Sequence, residues 1–336
     1  MTNSENKIKP ENVKLNMKVK IFSVWIIVLF INNLLAQSQS VYDTVSVGNI
    51  KQVVSYSGNK DLPLILFLHG GPGSSRMKQA EIFSNNLQKH FLVVQWDQRG
   101  AGKTDALNRS LVPITLNLME NDTYELIKIL LKKFNQKKLY LVGESWGTVL
   151  GFKMAEKHPE LLNAYIAFSP VINQTKSEQI LLEKLKLDAK ANSNVTAQKE
   201  LNSVKIPFMS YEDMFYSRKW MFSYDGHPFA EKDLPFLKQY MEDWSKIWMS
   251  TWNEVMKKNL FVELSKINCP VYLFLGEKDL QTNFGIANEY FKILKAPEKN
   301  IYTFENAGHS VLTEEAERVQ KIIIDEILAD TDKQEH

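Results

Sequence analysis

Six short runs constrain this chain most: PLILFLHG (63–70), FLVVQWD (91–97), KLYLVG (138–143), AYIAFSP (164–170), PVYLFLG (270–276) and NIYTFE (300–305). Each is largely apolar and closes on a turn-forming or polar residue. A strand with one wet face alternates, so continuous runs of this length read as strands buried on both faces. Between them lie amphipathic helical stretches around 77–88, 118–133, 146–157, 285–294 and 313–328. Strands alternating with helices predict an α/β chain: a mostly parallel sheet, helices on both faces, right-handed crossovers. Such sheets receive ligands at the carboxyl ends of their strands. Ahead of the runs, VYDTVSV (41–47) and IKQVVSYSG (50–58) alternate with period two and predict an antiparallel start.

One region breaks the alternation. From 171 to 260 no buried-strand pattern occurs, only helical stretches such as EQILLEKLKLDAK and FLKQYMEDWSKIWMSTWNEVMKK. The expected plan is a core in two parts, 41–170 and 261–330, interrupted by a helical cap at 171–260. The cap is rich in Trp220, Met221, Phe222, Tyr224, Trp244, Trp248, Met249 and Trp252. Most of these are expected to pack the cap on itself and on the core, and the remainder to roof a pocket.

Residues 1–36 read as a leader. Lys18 and Lys20 precede an apolar run from Ile21 to Phe30, and Ala36 precedes a polar stretch, the layout of a secretory signal peptide. The run is short for a membrane span, which takes about 20 apolar residues. Export with cleavage after Ala36 is the expectation, with an uncleaved anchor through 21–35 as its alternative. These 36 residues carry five lysines and two glutamates, so the remainder falls from the whole chain's +2 to −1. No basic or acidic block points to nucleic acid. The single cysteine, Cys269, has no internal disulfide partner and is expected to be an inert core thiol.

The chemistry concentrates at GESWG, 143–147. A strand precedes it and a helix follows, the setting in which G-x-S-x-G presents a nucleophile on a sharp turn. Gly143 and Gly147 remove side chains that would clash there, and the following helix aims free N–H groups at the reacting centre. A serine hydroxyl needs a base. ENAGHSV puts His309 in the loop after the last strand, and VYLFLGEKDL offers Asp279 just past a strand end, with Glu277 as its competitor. The order Ser145, Asp279, His309 is the one this architecture uses. Two N–H donors are expected to receive the oxyanion: Trp146, and Gly71 of HGGPG (69–73), with Gly70 as the alternative. In WDQRGAGKT (96–104), Asp97 and Arg99 are expected to tie loops together.

On HGGPG, WDQRGAGKT, GESWG, GEKD (276–279) and AGH (307–309), the chain resembles the α/β-hydrolases, specifically their proline iminopeptidase-like branch. The motifs span most of the chain after the leader. The resemblance implies the α/β-hydrolase fold and a serine hydrolase with no metal or organic cofactor, acting on a small-molecule or short-peptide substrate beneath a helical cap. In the peptidases of this branch, acidic cap residues bind the substrate's α-amine; Glu212, Asp213, Glu242, Asp243 and Glu254 are the candidates here. Two departures weaken the carry-over. Glu144 stands where the peptidases usually have glycine, and WMSTWNE replaces the W-x-x-W-E pattern of amine recognition. GESWG with GGPGSS is also similar to serine carboxypeptidases, whose glutamate before the nucleophile helps bind a carboxylate, which makes Glu144 a further substrate-binding candidate. The expected function is an aminopeptidase releasing an N-terminal residue, with a carboxylesterase or lactonase using the same triad as the alternative.

Overall fold

The computed structural model describes residues 40–329; the expected leader at 1–36 lies outside them. Eight strands form one sheet: β1 (Val41–Val47), β2 (Ile50–Ser57), β3 (Leu64–Leu68), β4 (Leu92–Asp97), β5 (Leu139–Glu144), β6 (Leu162–Phe168), β7 (Val271–Gly276) and β8 (Lys299–Phe304). Their spatial order is β1-β2-β4-β3-β5-β6-β7-β8. β1–β2 and β2–β4 pair antiparallel, and every later pair is parallel. Gly48 and Asn49 both take positive φ, 54° and 64°, which matches the twist of a two-residue hairpin turn joining β1 to β2.

All five residues of β3 and all six of β4, β5 and β7 are buried, as continuous apolar runs require. NIYTFE differs. It is expected to be buried on both faces, yet in β8 only Phe304 is fully buried. β8 has a neighbour on one side only, and an edge strand is half-covered whatever its composition.

Helices cover both faces. α1 (Ala80–Ser84), α2 (Gly102–Leu107), α3 (Leu116–Lys133) and α4 (Trp146–Lys157) precede or follow the early strands. One core layer joins Leu126, Ile127 and Leu130 of α3 and Leu150 of α4 to Leu66 and Leu141. The other packs Phe83 against Ile65 and Tyr140. Between β6 and β7 lie only helices among the described residues: α5 (Gln174–Ala191), α6 (Val195–Ser203), α7 (Tyr211–Tyr224), a short turn at Glu231–Asp233, α8 (Leu234–Met256) and α9 (Leu260–Glu263). α10 (Phe284–Ile293), α11 (Val311–Glu314) and α12 (Ala316–Ile322) complete the core. Residues 41–329 pack as one unit, the helical insertion included.

Arg99 and Asp122 pin the antiparallel end. Arg99 donates to Asp122 Oδ2 at 2.7 Å and Oδ1 at 3.1 Å, and to the Gly48 carbonyl at 2.8 Å. Gln52 adds a bond to Asp122 Oδ2 at 2.8 Å. Asp97 does not join this pair; it accepts the Lys103 N–H at 2.7 Å. Removing one member of a buried pair leaves the other charge uncompensated, at about 3–5 kcal/mol. Arg99→Met is therefore expected to lower stability by about that amount, read as a shifted denaturation midpoint at unchanged slope. A shift under about 1 kcal/mol would show that the pair carries no such role. Cys269 is buried, and burial pushes its thiol up to about 12, so it offers no thiolate at neutral pH.

Candidate active site

β5 ends at Glu144 and α4 begins at Trp146, leaving Ser145 alone at the bend with φ 51° and ψ −117°. A residue with a Cβ rarely adopts that conformation. The neighbourhood over-determines it: the Ser145 N–H donates to the Phe168 carbonyl at 2.9 Å, and the Ser145 carbonyl accepts from the Thr148 N–H at 2.8 Å and hydroxyl at 2.6 Å. The glycines have a steric cause. A Cβ on Gly147 would lie 2.0 Å from the Leu68 carbonyl oxygen, and one on Gly143 would lie 2.8 Å from that of Gly147.

Ser145, His309 and Asp279 are brought together from three strand ends. His309 Nε2 lies 3.0 Å from Ser145 Oγ, and Nδ1 lies 2.9 Å from Asp279 Oδ2. An ionised carboxylate only accepts, so Nδ1 carries the proton and Nε2 is left to accept from the serine hydroxyl. Asp279 also accepts from the N–H groups of Gln281 (2.7 Å) and Thr282 (2.9 Å) and from the Thr282 hydroxyl (2.7 Å). Burial pushes its carboxyl up, but His309 and these donors outweigh burial and hold it below the usual carboxylate value. Burial likewise pushes the His309 imidazole down, and the charge and hydrogen bond of Asp279 overcome this, leaving it above the ordinary histidine value. Glu277 is exposed and takes no part.

The HGGPG loop runs beside this group. A Cβ on Gly70 would stand 3.4 Å from the Ser145 Cβ, and Gly71 has φ +129°. Gly71 and Ser145 line the same cavity. Trp146 is the first residue of α4, so its N–H has no carbonyl within the helix to bond. What sets the loop was not apparent from its motif. Buried His69 donates from Nδ1 to the Gly70 carbonyl at 2.7 Å and accepts the Gln98 N–H at Nε2 at 3.2 Å. Gln98 also donates to the His69 carbonyl at 3.0 Å and accepts from Trp146 Nε1 at 2.9 Å. The two motifs HGGPG and WDQRG therefore lock each other.

A cavity of about 320 Å³ opens over Ser145. Phe222, Trp244 and Trp252 of the insertion line it, and Trp244 Nε1 donates to the Pro72 carbonyl at 3.0 Å. Trp248 is buried instead, edge-on to Trp146 at 6.1 Å.

None of the five cap acids proposed from sequence lines this cavity. Asp213 is spent at the start of α7, where it accepts from the N–H groups of Lys205, Met209 and Ser210 and completes a capping box. Glu242 and Asp243 pair with Lys246 on the outer face of α8. Glu212 bonds its neighbours Tyr211 and Ser210, and Glu254 is exposed. Glu144 does not line it either: Arg76 grips it from Nε at 2.9 Å and Nη2 at 2.5 Å. These placements correct the substrate-binding assignments. Helix charges meet water or a cap wherever the helix turns them outward, and pattern alone does not reveal which helix face meets the core.

Two polar residues of the insertion stand at the cavity without having been apparent as site residues in the sequence. Arg218 of α7 lines it and is clamped by both oxygens of Glu178, at 2.9 Å from Nη1 and by a second bond from Nη2. Gln174 of α5 lines it too, donating to Glu178 Oε1 at 2.9 Å and to the Gln281 carbonyl at 3.1 Å. A signal was available. Gln174, Ser177 and Glu178 continue the stripe of Leu181, Leu182 and Leu185 on the buried face of α5, where polar residues are rare without a partner or a task.

A family model for the alpha/beta hydrolase fold matches residues 63–208. Probable aminopeptidase YbaC of Bacillus subtilis is 27% identical over 83% of this chain and 93% of its own length. Proline iminopeptidase of Heyndrickxia coagulans is 25% identical over 78% of this chain and 89% of its own length. Among solved structures, MGS-M2, an alpha/beta hydrolase enzyme from a Medee basin deep-sea metagenome library, superposes with TM-score 0.59 at 17% identity, covering 85% of this chain and 97% of that one. With a mostly parallel eight-stranded sheet and a strand-to-helix bend at Ser145, the chain has the α/β-hydrolase fold and is similar in sequence to an aminopeptidase and a proline iminopeptidase.

Proposed function

We propose that this α/β-hydrolase is a serine hydrolase working through Ser145, His309 and Asp279 on small, peptide-like acyl substrates. One observation carries the reading: the unbroken hydrogen-bonded chain from Asp279 through His309 to Ser145 Oγ, at the edge of a cavity of substrate size. In that reading Ser145 Oγ attacks the acyl carbon while His309 Nε2 takes its proton, and Asp279 stabilises the imidazolium formed. The Gly71 and Trp146 N–H groups receive the oxyanion. The imidazolium then protonates the leaving group, and water repeats the sequence on the acyl-enzyme. Relatives named as a probable aminopeptidase and a proline iminopeptidase support a peptide substrate.

A second reading, an esterase or lactonase with the same triad, is favoured by the cavity wall, which holds no carboxylate among the described residues. Pairing a substrate ammonium there would need one, because an uncompensated buried charge is costly.

A fluorophosphonate probe tests the shared core of both readings. Mass spectrometry of the digested adduct should locate the label at Ser145 in the wild type and find none after Ser145→Ala. Labelling at another serine would overturn the assignment.

A further inference from the structure

We propose that Arg76 is a positioning residue: its grip on Glu144 holds the HGGPG loop against the bend at Ser145 and cancels a negative charge beside the place where the oxyanion forms. The proposal rests on the serine-hydrolase reading above and concerns how that same site is kept in working shape.

Glu144 is the residue before the nucleophile, and its side chain is only 6% exposed. A carboxylate in that position needs a partner. Arg76, three residues beyond Gly73, supplies both bonds of a two-pronged pair: Nε to Oε2 at 2.9 Å and Nη2 to Oε1 at 2.5 Å. Such a pair fixes direction as well as distance. A Cβ on Gly70 would stand 3.3 Å from the Glu144 carbonyl oxygen and 3.7 Å from Glu144 Oε2. The carboxylate therefore lies against the residue before Gly71, the expected oxyanion donor. The loop needs holding. Gly71 and Gly73 take φ +129° and +83°, and glycines leave a chain little conformational preference of its own. His69 fixes the start of the loop through the Gly70 carbonyl and Gln98. Arg76 fixes its far end to Glu144, next to the nucleophile.

The charge counts as well as the tether. An unpaired carboxylate against Gly70 would repel an oxyanion held by Gly71, in a site where little water screens it. The Arg76 guanidinium cancels that charge. Glu144 also acts on the base. Burial pushes the His309 imidazole down, Asp279 and Glu144 pull it up, and Arg218 opposes them. Glu314 stands on a further side, accepting the Gly308 N–H at 2.6 Å. His69 also feels Asp97, Glu144 and Arg76, and burial holds it down as a neutral ring. Changing either member of the pair alters the charge near His309 while Asp279, Arg218 and Glu314 stay in place.

Hydrolysis of p-nitrophenyl acetate across pH, corrected for the spontaneous reaction, tests this on Arg76→Met, Glu144→Gln and the double variant. Denaturant unfolding checks that each is folded. Arg76→Met should lower kcat by about 10–100-fold at nearly unchanged KM, through a displaced loop and a bare carboxylate. It should also move the rising limb of kcat/KM to higher pH, since that limb reports the base. Glu144→Gln keeps one acceptor oxygen for Arg76 and leaves a cation there, so the limb should move to lower pH with a smaller loss of kcat. In the double variant both charges are gone, the limb should return near its wild-type position, and part of kcat should recover. A pair that only braced the fold would change stability and leave the limb where it is. Unchanged kcat in folded Arg76→Met, a limb shifted the same way in both single variants, or a loss carried by KM would overturn the proposal. If Arg76→Met does not fold, Glu144→Gln decides alone, and an unmoved limb overturns the proposal. Failure of the serine-hydrolase reading looks different and takes this proposal with it: the wild type would leave the ester untouched, or Ser145→Ala would still cleave it.

Discussion

Ser145→Ala is expected to lower kcat by about 10⁶-fold and to leave the fold intact. The change removes the attacking oxygen and almost no volume. It also leaves the bonds from the Ser145 N–H to Phe168 and from Thr148 to the Ser145 carbonyl, which hold the bend and involve only the backbone of residue 145. Stability should therefore be nearly unchanged, a point that denaturant unfolding checks. His309→Ala should cost about as much, because a serine without its base is as idle as a base without its serine. The double variant should lose little more than either single one, since the two act as a unit. Single-turnover rates on an activated ester measure all three. If the losses multiplied, or if Ser145→Ala kept more than about one part in a thousand of the rate, the nucleophile would have to be sought elsewhere.

Asp279→Asn is expected to lower kcat by about 10⁴-fold while keeping the loop in place. An asparagine oxygen can still accept from the Gln281 and Thr282 N–H groups. Its NH₂ then faces His309 Nδ1, which must lose its proton to accept. The proton moves to Nε2, where it blocks the serine. The pH profile supplies a second readout. The neutral imidazole is the working base, so kcat/KM rises as pH passes the His309 pKa. Asp279 outweighs burial in holding that pKa above its ordinary value. Losing the charge should lower it and move the rising limb of the residual activity to lower pH. Glu277→Gln, at an exposed position, should leave both rate and profile as they are. The reverse pattern, a silent Asp279→Asn and a damaging Glu277→Gln, would reassign the acid.

Much of the architecture is legible in the chain because it is set by neighbours in sequence. β3, β4, β5 and β7 are buried on both faces and read as unbroken apolar runs. Ser145 announces itself because the glycines two residues to either side are needed for local clearance. β8 was overestimated because its composition does not say that it stands last in the sheet. The role of His69 was hidden for a related reason: its ring bridges its own loop to Gln98, 29 residues on.

By itself the sequence determined the alternation of strand and helix, the bend at Ser145, the loops carrying Asp279 and His309, and the helical stretch between β6 and β7. Each of these follows from periodicity, turn chemistry or chain order, all of which act over a few residues. Only the tertiary structure decided what faces the substrate. Glu212, Asp213, Glu242, Asp243 and Glu254 look alike in a list of helix charges, yet all are turned to water or to a cap. Glu178 and Arg218, 40 residues apart, pair behind the cavity wall and cancel each other's charge. The selection depends on which face each insertion helix turns to the core. Packing across the whole insertion sets that, as apolar stripes are buried and every polar group caught beneath them must find a partner.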